Sequence, residues 1–421
     1  MTTPRAYLTS LEQIGIKLGL EQIRNLLGAL NHPERACGAV TIAGTNGKGS
    51  VTAMVERGLR AAGHRTGRYT SPHLVSLEER FAIDGIDVSA AQLDGAIEVV
   101  QTAAGTLPAP PSFFEATTAV ALELFRRARV DVALLEVGLG GRLDATNAVT
   151  SQASAITAID FDHQQFLGTT LESIASEKAG VVKPGTCCVL AENPLDVRVV
   201  VEKHCQDVGA RFVYAPDGVH VDVAMRDGRA HADVLTTKRR YADLTLALRG
   251  RHQVQNALTA VRLLEELDTQ GLFAVPEAAI RCAVEQVSWP GRLELVSVDE
   301  QAVLIDGAHN AAGAAALAEF LRDTYAHSLP VVIGAMRDKD VGSIVAPIAA
   351  VASRIVCTAV RSTRAMPPHE LAAAVRAIAP GLVVETASTA REAIEMAGRG
   401  SNLVVVAGSL YLAGEVRALV S

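Results

Sequence analysis

The sequence predicts an α/β protein of two domains, each built on a parallel sheet, the second doubly wound in the Rossmann manner. Three observations predict it. Short apolar runs of strand length alternate with amphipathic, Ala-rich stretches. A Gly-rich loop joins one such run to a helix-period stretch near residue 44. The tetrapeptide Trp289-Pro290-Gly291-Arg292 carries a turn signal where the pattern changes character.

The first element is helical: Leu20, Ile23, Leu26, Leu27 and Leu30 recur at three- and four-residue spacing. Asn31-His32-Pro33 ends it, because the residue before proline avoids the helical region. Residues 39–43 read as a short buried strand, followed by the loop from Gly44 to Gly49. Val51, Met54, Val55 and Leu59 then mark the inner face of a helix that Gly63 closes. Two more buried strands read at 132–137 and 153–159, ending in Glu136 and in the polar run from Asp160 to His163. Ligands gather at the carboxyl ends of strands in open α/β sheets, so Lys48, Glu136 and His163 are expected at one site. Strands at 302–305, 331–334, 354–360, 382–386 and 403–407 give the second sheet. The division is expected as a first domain 1–289, a linker 290–296 and a second domain 297–421.

Composition narrows the function. The chain has 421 residues, a net charge of −7 and 20% charged residues, which argues against disorder. With a pI of about 5.9 it offers no general basic surface for nucleic acid. Its apolar stretches fall short of the roughly 18 residues of a membrane span, and residues 1–10 lack a signal-peptide core. Cys37, Cys187, Cys188, Cys205, Cys282 and Cys357 contain no C-x-x-C pair; they read as reduced thiols of a cytoplasmic protein.

Gly44-Thr45-Asn46-Gly47-Lys48-Gly49-Ser50 has the makings of a phosphate cradle, and makes the first domain P-loop ATPase-like. Glycines let backbone N–H groups converge on an anion, and the following helix presents its positive end. Lys48 adds charge near the β- and γ-phosphates, and Ser50 offers a hydroxyl to Mg²⁺. The strict Walker pattern is not met: Ile42 occupies its first Gly position, and Gly49 separates Lys48 from Ser50.

This loop variant resembles that of the Mur ligases, ATP-dependent amide ligases. Further segments narrow the likeness to the folylpolyglutamate synthase/dihydrofolate synthase branch. They are Tyr-Thr-Ser-Pro-His-Leu at 69–74, Phe-Phe-Glu-Ala-Thr-Thr at 113–118, and Glu-Val-Gly-Leu-Gly-Gly-Arg-Leu-Asp-Ala-Thr-Asn at 136–147. Asp162-His163 with Phe166-Leu167-Gly168, Ser-Glu-Lys-Ala-Gly at 176–180 and Gly-Arg-His-Gln-Val-Gln-Asn-Ala at 250–257 continue it. Trp289-Pro290-Gly291-Arg292, Asp-Gly-Ala-His-Asn at 306–310 and Gly-Ser-Leu-Tyr-Leu at 408–412 complete a series that runs in order from about residue 19 to the C-terminus.

The resemblance implies a ligase that forms an acyl-phosphate with ATP and then joins L-glutamate to it. It implies two Mg²⁺ sites, one on Ser50, Ser71 and Glu136, the other on Glu136 and His163. Lys178, which alone reads as a helix-terminal lysine, is often carbamylated in the resembling family. Asn256, Arg292, Asp306 and His309 are implied to close over ATP, with Arg292 nearest the γ-phosphate. Phe113, Phe114 and Thr117 are implied beside the pterin, Ser409 and Tyr411 near the glutamate, and His73 near the substrate. Taken alone, adjacent phenylalanines fit a core equally well.

The expected substrates are dihydropteroate and reduced folates, both used by one bifunctional monomer in folate biosynthesis. Alternatives are one of these activities alone, or a Mur-type cell-wall precursor ligase. A GTPase would need an N-K-x-D tetrapeptide, which the sequence lacks, and a degenerate binding module would have lost Lys48, Glu136 or His163. Gln164 replaces the Thr that commonly follows Asp-His, a departure on the pterin side.

Overall fold

The computed structural model describes residues 3–15 and 17–420. Eight strands form the first sheet: β1 (Gly38–Ala43), β2 (Thr66–Tyr69), β3 (Phe81–Ile83), β4 (Ile86–Asp87), β5 (Val132–Glu136), β6 (Ala153–Ile156), β7 (Cys187–Leu190) and β8 (Arg211–Tyr214). Their order is β4-β3-β2-β5-β1-β6-β7-β8. β1 thus lies between β5 and β6, parallel to both. Alternate residues feed opposite faces. Val40, Ile42 and Leu134 pack under the helix Lys48–Ala61, and Ala39, Tyr69 and Leu135 under the helix Phe113–Ala128. With both faces covered, β1 and β5 are apolar almost throughout.

Three strands that sequence periodicity did not identify follow: β9 (His220–Arg226), β10 (Arg229–Leu235) and β11 (Arg240–Arg249), an antiparallel sheet. Its inner face (Ala230, Ala232, Val234, Tyr241) packs on the same apolar cluster as the helix His252–Thr269. The last six strands are β12 (Glu294–Val298), β13 (Gln301–Ile305), β14 (Leu329–Ile333), β15 (Ala352–Thr358), β16 (Val383–Ala387) and β17 (Leu403–Ala407), ordered β12-β13-β17-β14-β15-β16.

The structure corrects the sequence reading in three places. Neither sheet is wholly parallel: β3 and β4 form an antiparallel edge on the first, and β12 on the second. β12 turns into β13 through Asp299 and Glu300, both at positive φ (47° and 68°), the geometry of a two-residue hairpin turn. Residues 294–296, given above to a linker, therefore belong to a strand. The strand expected at 153–159 stops at Ile156, because Thr157 turns to the phosphate loop: its hydroxyl donates to the carbonyl of Asn46 at 2.7 Å. The helix Glu21–Ala29 ends as expected, with Asn31 and His32 left-handed (φ 56° and 55°) before Pro33.

Candidate active site

A cavity of about 640 Å³ opens where the carboxyl ends of β1, β5 and β6 face the first turns of the second domain. The loop Gly44–Ser50 forms its floor. Gly47 (φ +86°) caps the helix without a side-chain hydrogen bond, which leaves the first-turn N–H groups for a ligand. A Cβ there would strain the backbone and meet the Asn256 amide, so glycine favours the close fit of the loop against the helix His252–Thr269.

Two lysines meet at this loop. Lys48 donates to the carbonyls of Gly44 and Thr45, each at 3.1 Å, and Lys178 donates to Gly44 O at 2.7 Å. Lys178 is only 4% exposed, so it is not the surface helix-end lysine its sequence context alone describes. Burial lowers the pKa of Lys48, with Glu136 opposing. Burial and then the neighbouring Lys48 charge lower that of Lys178 to about 7.

Glu136 stands buried at the end of β5 and accepts one weak bond, from Ser71 N–H at 3.3 Å. Burial raises its pKa; Lys48 works against the rise. Ser50 is buried at the helix start, its hydroxyl 3.4 Å from the Gln253 amide nitrogen. Ser50, Ser71, Glu136 and His163 all line the cavity. His163 has left-handed backbone (φ 50°) and a half-exposed ring, whose pKa partial burial lowers while Asp162 opposes. Among the described residues no three His, Cys, Asp or Glu side chains group as a metal cluster. Hard hydroxyl and carboxylate donors beside an under-bonded buried carboxylate nevertheless suit a divalent ion that completes its shell with phosphate oxygens and water.

The second domain supplies the opposite wall. Arg292, Asp306, His309 and Asn310 line the cavity with Asn256. Arg292 occupies space left by Gly307, where a Cβ would strike its guanidinium. Asp306 accepts N–H bonds from Leu293 (3.0 Å) and Ala308 (2.9 Å), so its carboxylate fixes the linker and the turn after β13. The His309 ring nitrogen Nδ1 lies 2.8 Å from Gly307 O, and burial lowers its pKa to about 4. His73 also lines the cavity, 2.9 Å from Arg80 Nε; burial, then Arg80, lowers its pKa to about 4.

Five residues implied by resemblance stand apart from the cavity lining. Thr117 is fully buried, hydrogen-bonded to Tyr69 OH at 2.7 Å. Phe114 packs over Gly138 and beside Tyr69, and Phe113 lies under Arg80. Ser409 caps the helix Leu410–Arg417, and Tyr411 is 44% exposed on that helix.

Sequence reasoning assigned no role to several residues that build the site. Asp162 accepts a 2.6 Å bond from Lys339 of the second domain. Burial works to raise its pKa, but Lys339 and His163 hold it at about 2. Asn310 donates to Asn46 of the phosphate loop at 2.9 Å. Asp144 accepts the N–H groups of Gly138 and Leu139 and shapes the turn after β5. Asp162 and Asn310 flank His163 and His309 in sequence, which was the available signal; Lys339 carried none.

A glycine-rich loop at a helix start, a lysine pair and a facing arginine line one cavity, an arrangement suited to a nucleotide-dependent ligase. Comparison with known proteins agrees: the Mur ligase middle domain matches residues 42–264, and the Mur ligase glutamate ligase domain residues 291–410. The chain is 31% identical to the dihydrofolate synthase/folylpolyglutamate synthase of Bacillus subtilis, over 98% of this chain and 97% of the relative. It superposes on the Mycobacterium tuberculosis folylpolyglutamate synthase complexed with ADP and AMPPCP (TM-score 0.91, 33% identity, 99% of each chain). It also matches the bifunctional Yersinia pestis enzyme complexed with AMPPNP and Mn ion (TM-score 0.86, 29% identity, 99% and 98% covered). The chain belongs to the folylpolyglutamate synthase/dihydrofolate synthase family of the Mur ligases, and it is an ATP-dependent ligase. Among the described residues no helix is long and apolar enough to cross a membrane.

Proposed function

We propose that this chain joins L-glutamate both to dihydropteroate and to the γ-carboxyl of reduced folates, through an acyl-phosphate. The observation that carries the reading is the convergence of Lys48, Lys178 and Glu136 with Arg292 and His309 on one interdomain cavity. An acyl-phosphate hydrolyses in water, and a site walled by both domains excludes water when closed.

In this reading the loop N–H groups and Lys48 hold the β- and γ-phosphates, and Arg292 faces the γ-phosphate from the linker. The substrate carboxylate attacks that phosphate and ADP leaves. The glutamate amine then adds to the acyl carbon, loses a proton and expels phosphate. Fixed cations stabilise charge on the transferring oxygens without reorganising. Asn256, Asp306 and His309 shape the nucleotide side, with His309 neutral.

Ser50, Ser71 and Glu136 would hold one Mg²⁺, and Glu136 with His163 a second. The bound ions supply positive charge against phosphate and carboxylate oxygens. The amine of Lys178, with its pKa lowered to about 7, is in large part unprotonated at neutral pH and suited to react with CO₂, forming an N–C bond and releasing a proton. The resulting carbamate adds an anionic donor to the second site.

His73, Phe113, Phe114 and Thr117 are assigned to the folate side. Phe113 and Phe114 act as the packed floor under the segments that touch the ring. Ser409 and Tyr411 are assigned to the glutamate side through the helix they begin, whose Leu410 and Arg417 line the cavity. One chain supplies both walls, which favours a monomer; its six free cysteines suit the cytoplasm. The mechanism is tested with substrate carrying heavy oxygen in the reacting carboxylate. Label recovered in inorganic phosphate supports the acyl-phosphate route, and its absence excludes it.

A further inference from the structure

Trp289 touches both the phosphate loop and a buried cation. Its indole rests on Gly49, where a Cβ would lie 2.7 Å from Nε1 and 2.8 Å from Cζ2. The Arg68 guanidinium carbon sits over the same ring, 4.9 Å from its centroid. Arg68 is a poorly satisfied buried cation. Its side chain is 11% exposed, Asp87 is 3.7 Å away, and its buried Nε has no hydrogen-bond partner. An arginine in that state is costly unless a ring face receives it.

The chain beyond Trp289 belongs at once to the other domain. Gly291 O accepts from Gly307 N–H at 2.8 Å, and Leu293 N–H donates to Asp306 at 3.0 Å. Only Pro290, with its ring-fixed φ, separates the residue held by the first domain from the residue held by the second. Arg292 follows two residues later. Any shift of the indole against Gly49 is therefore passed to Arg292 with little slack.

We propose that Trp289, clamped between Gly49 and Arg68, is a positioning residue that sets Arg292 against the phosphate loop. The inference rests on the reading of Arg292 as the cation facing the γ-phosphate. Displacing a reacting geometry by about 1 Å costs up to about a hundredfold in rate. Trp289→Leu and Arg68→Met should each lower kcat at least about tenfold, with KM for ATP within about threefold. Trp289→Phe, which keeps a ring face, should recover most of the loss. The double variant should be no worse than the poorer single, because both remove one clamp.

The experiment measures glutamate-dependent ADP formation by these variants and by Arg292→Ala, with fluorescence of Trp289, the single tryptophan of the chain. Nucleotide should change Trp289 emission in the wild-type chain, and that change should disappear in Arg68→Met. Near-normal kcat in Arg68→Met with the emission change intact overturns the proposal, as do losses that multiply in the double variant. The fluorescence arm decides even where Trp289→Leu fails to fold. Inactive Arg292→Ala beside normal Arg68→Met sinks the positioning role alone; active Arg292→Ala sinks the reading of the phosphate site.

Discussion

Lys178 donates its Nζ to the carbonyl oxygen of Gly44 at 2.7 Å, which ties the helix Leu171–Ala179 to the first residue of the phosphate loop. Lys48 bonds the same oxygen at 3.1 Å. Burial of Lys178, and then repulsion between the two ammonium groups on one carbonyl, lower its pKa. The resulting pKa of about 7 leaves Lys178 far more of the neutral amine than a free lysine has.

Carbamylation would turn one of these cations into an anion. Lys178→Ala should therefore lose most activity, on the order of a hundredfold, and added short carboxylates should restore part of it. The check is turnover with and without acetate or formate, beside intact mass of the wild-type protein in bicarbonate. Full activity without rescue would remove Lys178 from the mechanism.

Lys48→Ala and Glu136→Ala address the phosphate and metal ends of the site separately. Each should reduce kcat at least about a thousandfold while the protein stays folded, since Lys48→Ala removes a cation facing the transferring phosphate and Glu136→Ala removes a carboxylate that would hold the metal ion. Circular dichroism establishes folding, and ADP release gives the rate. Near-normal turnover in either variant would contradict the proposed arrangement.

His73, His252 and His309 are each held near pKa 4 by burial, against 6.5 for a free imidazole. Between these values the unfolded chain carries the protons and the folded chain does not. Their contribution to stability is therefore complete above about pH 6.5 and falls as the pH drops toward about 4. Buried carboxylates such as Glu136 and Asp306, with raised pKa, act in the opposite sense. A variant comparison isolates the imidazole: His252→Asn should flatten the fall of Tm with acid, and an unchanged slope would argue against it.

The two domains also meet at Gly414. A Cβ there would overlap the main-chain oxygen of Leu74, whose side chain packs into an apolar cluster of the second domain. Glu79 holds this segment by accepting the N–H groups of Leu74 (2.7 Å), Val75 (3.0 Å) and Ser76 (2.9 Å). Because the obstacle is backbone, Gly414→Ala should keep the domains from seating and lower kcat about tenfold or more, with little change in Tm. Steady-state kinetics beside small-angle scattering checks it; a compact, fully active variant would show that the contact tolerates displacement.

The phosphate loop, β1 and β5 were legible because local signals agree: an apolar run, glycines where φ is positive, and a helix-period stretch after them. The sheet β9–β11 was missed although β9 alternates inward and outward, because half-buried Val221 and Val223 give a weak period. Asp162–Lys339 was illegible for another reason: the partners lie 177 residues apart, and only the docked domains bring them together. The burial of Lys178 belongs with it, since a helix-end lysine looks alike whether its end meets solvent or a loop from β1. Phe113 and Phe114 drew attention by rarity, and both rings pack partly buried against an apolar cluster.

In the proposed function one site serves two glutamate-accepting substrates. Its most direct test is glutamate-dependent phosphate release from ATP with Mg²⁺, offering dihydropteroate and tetrahydrofolate separately. Turnover is expected with both, abolished for both by Lys48→Ala. Turnover with one alone would contradict the bifunctional reading and leave a single-activity ligase. Silence with both, from folded protein that binds ATP, would contradict the folate assignment and point to another Mur-type acceptor.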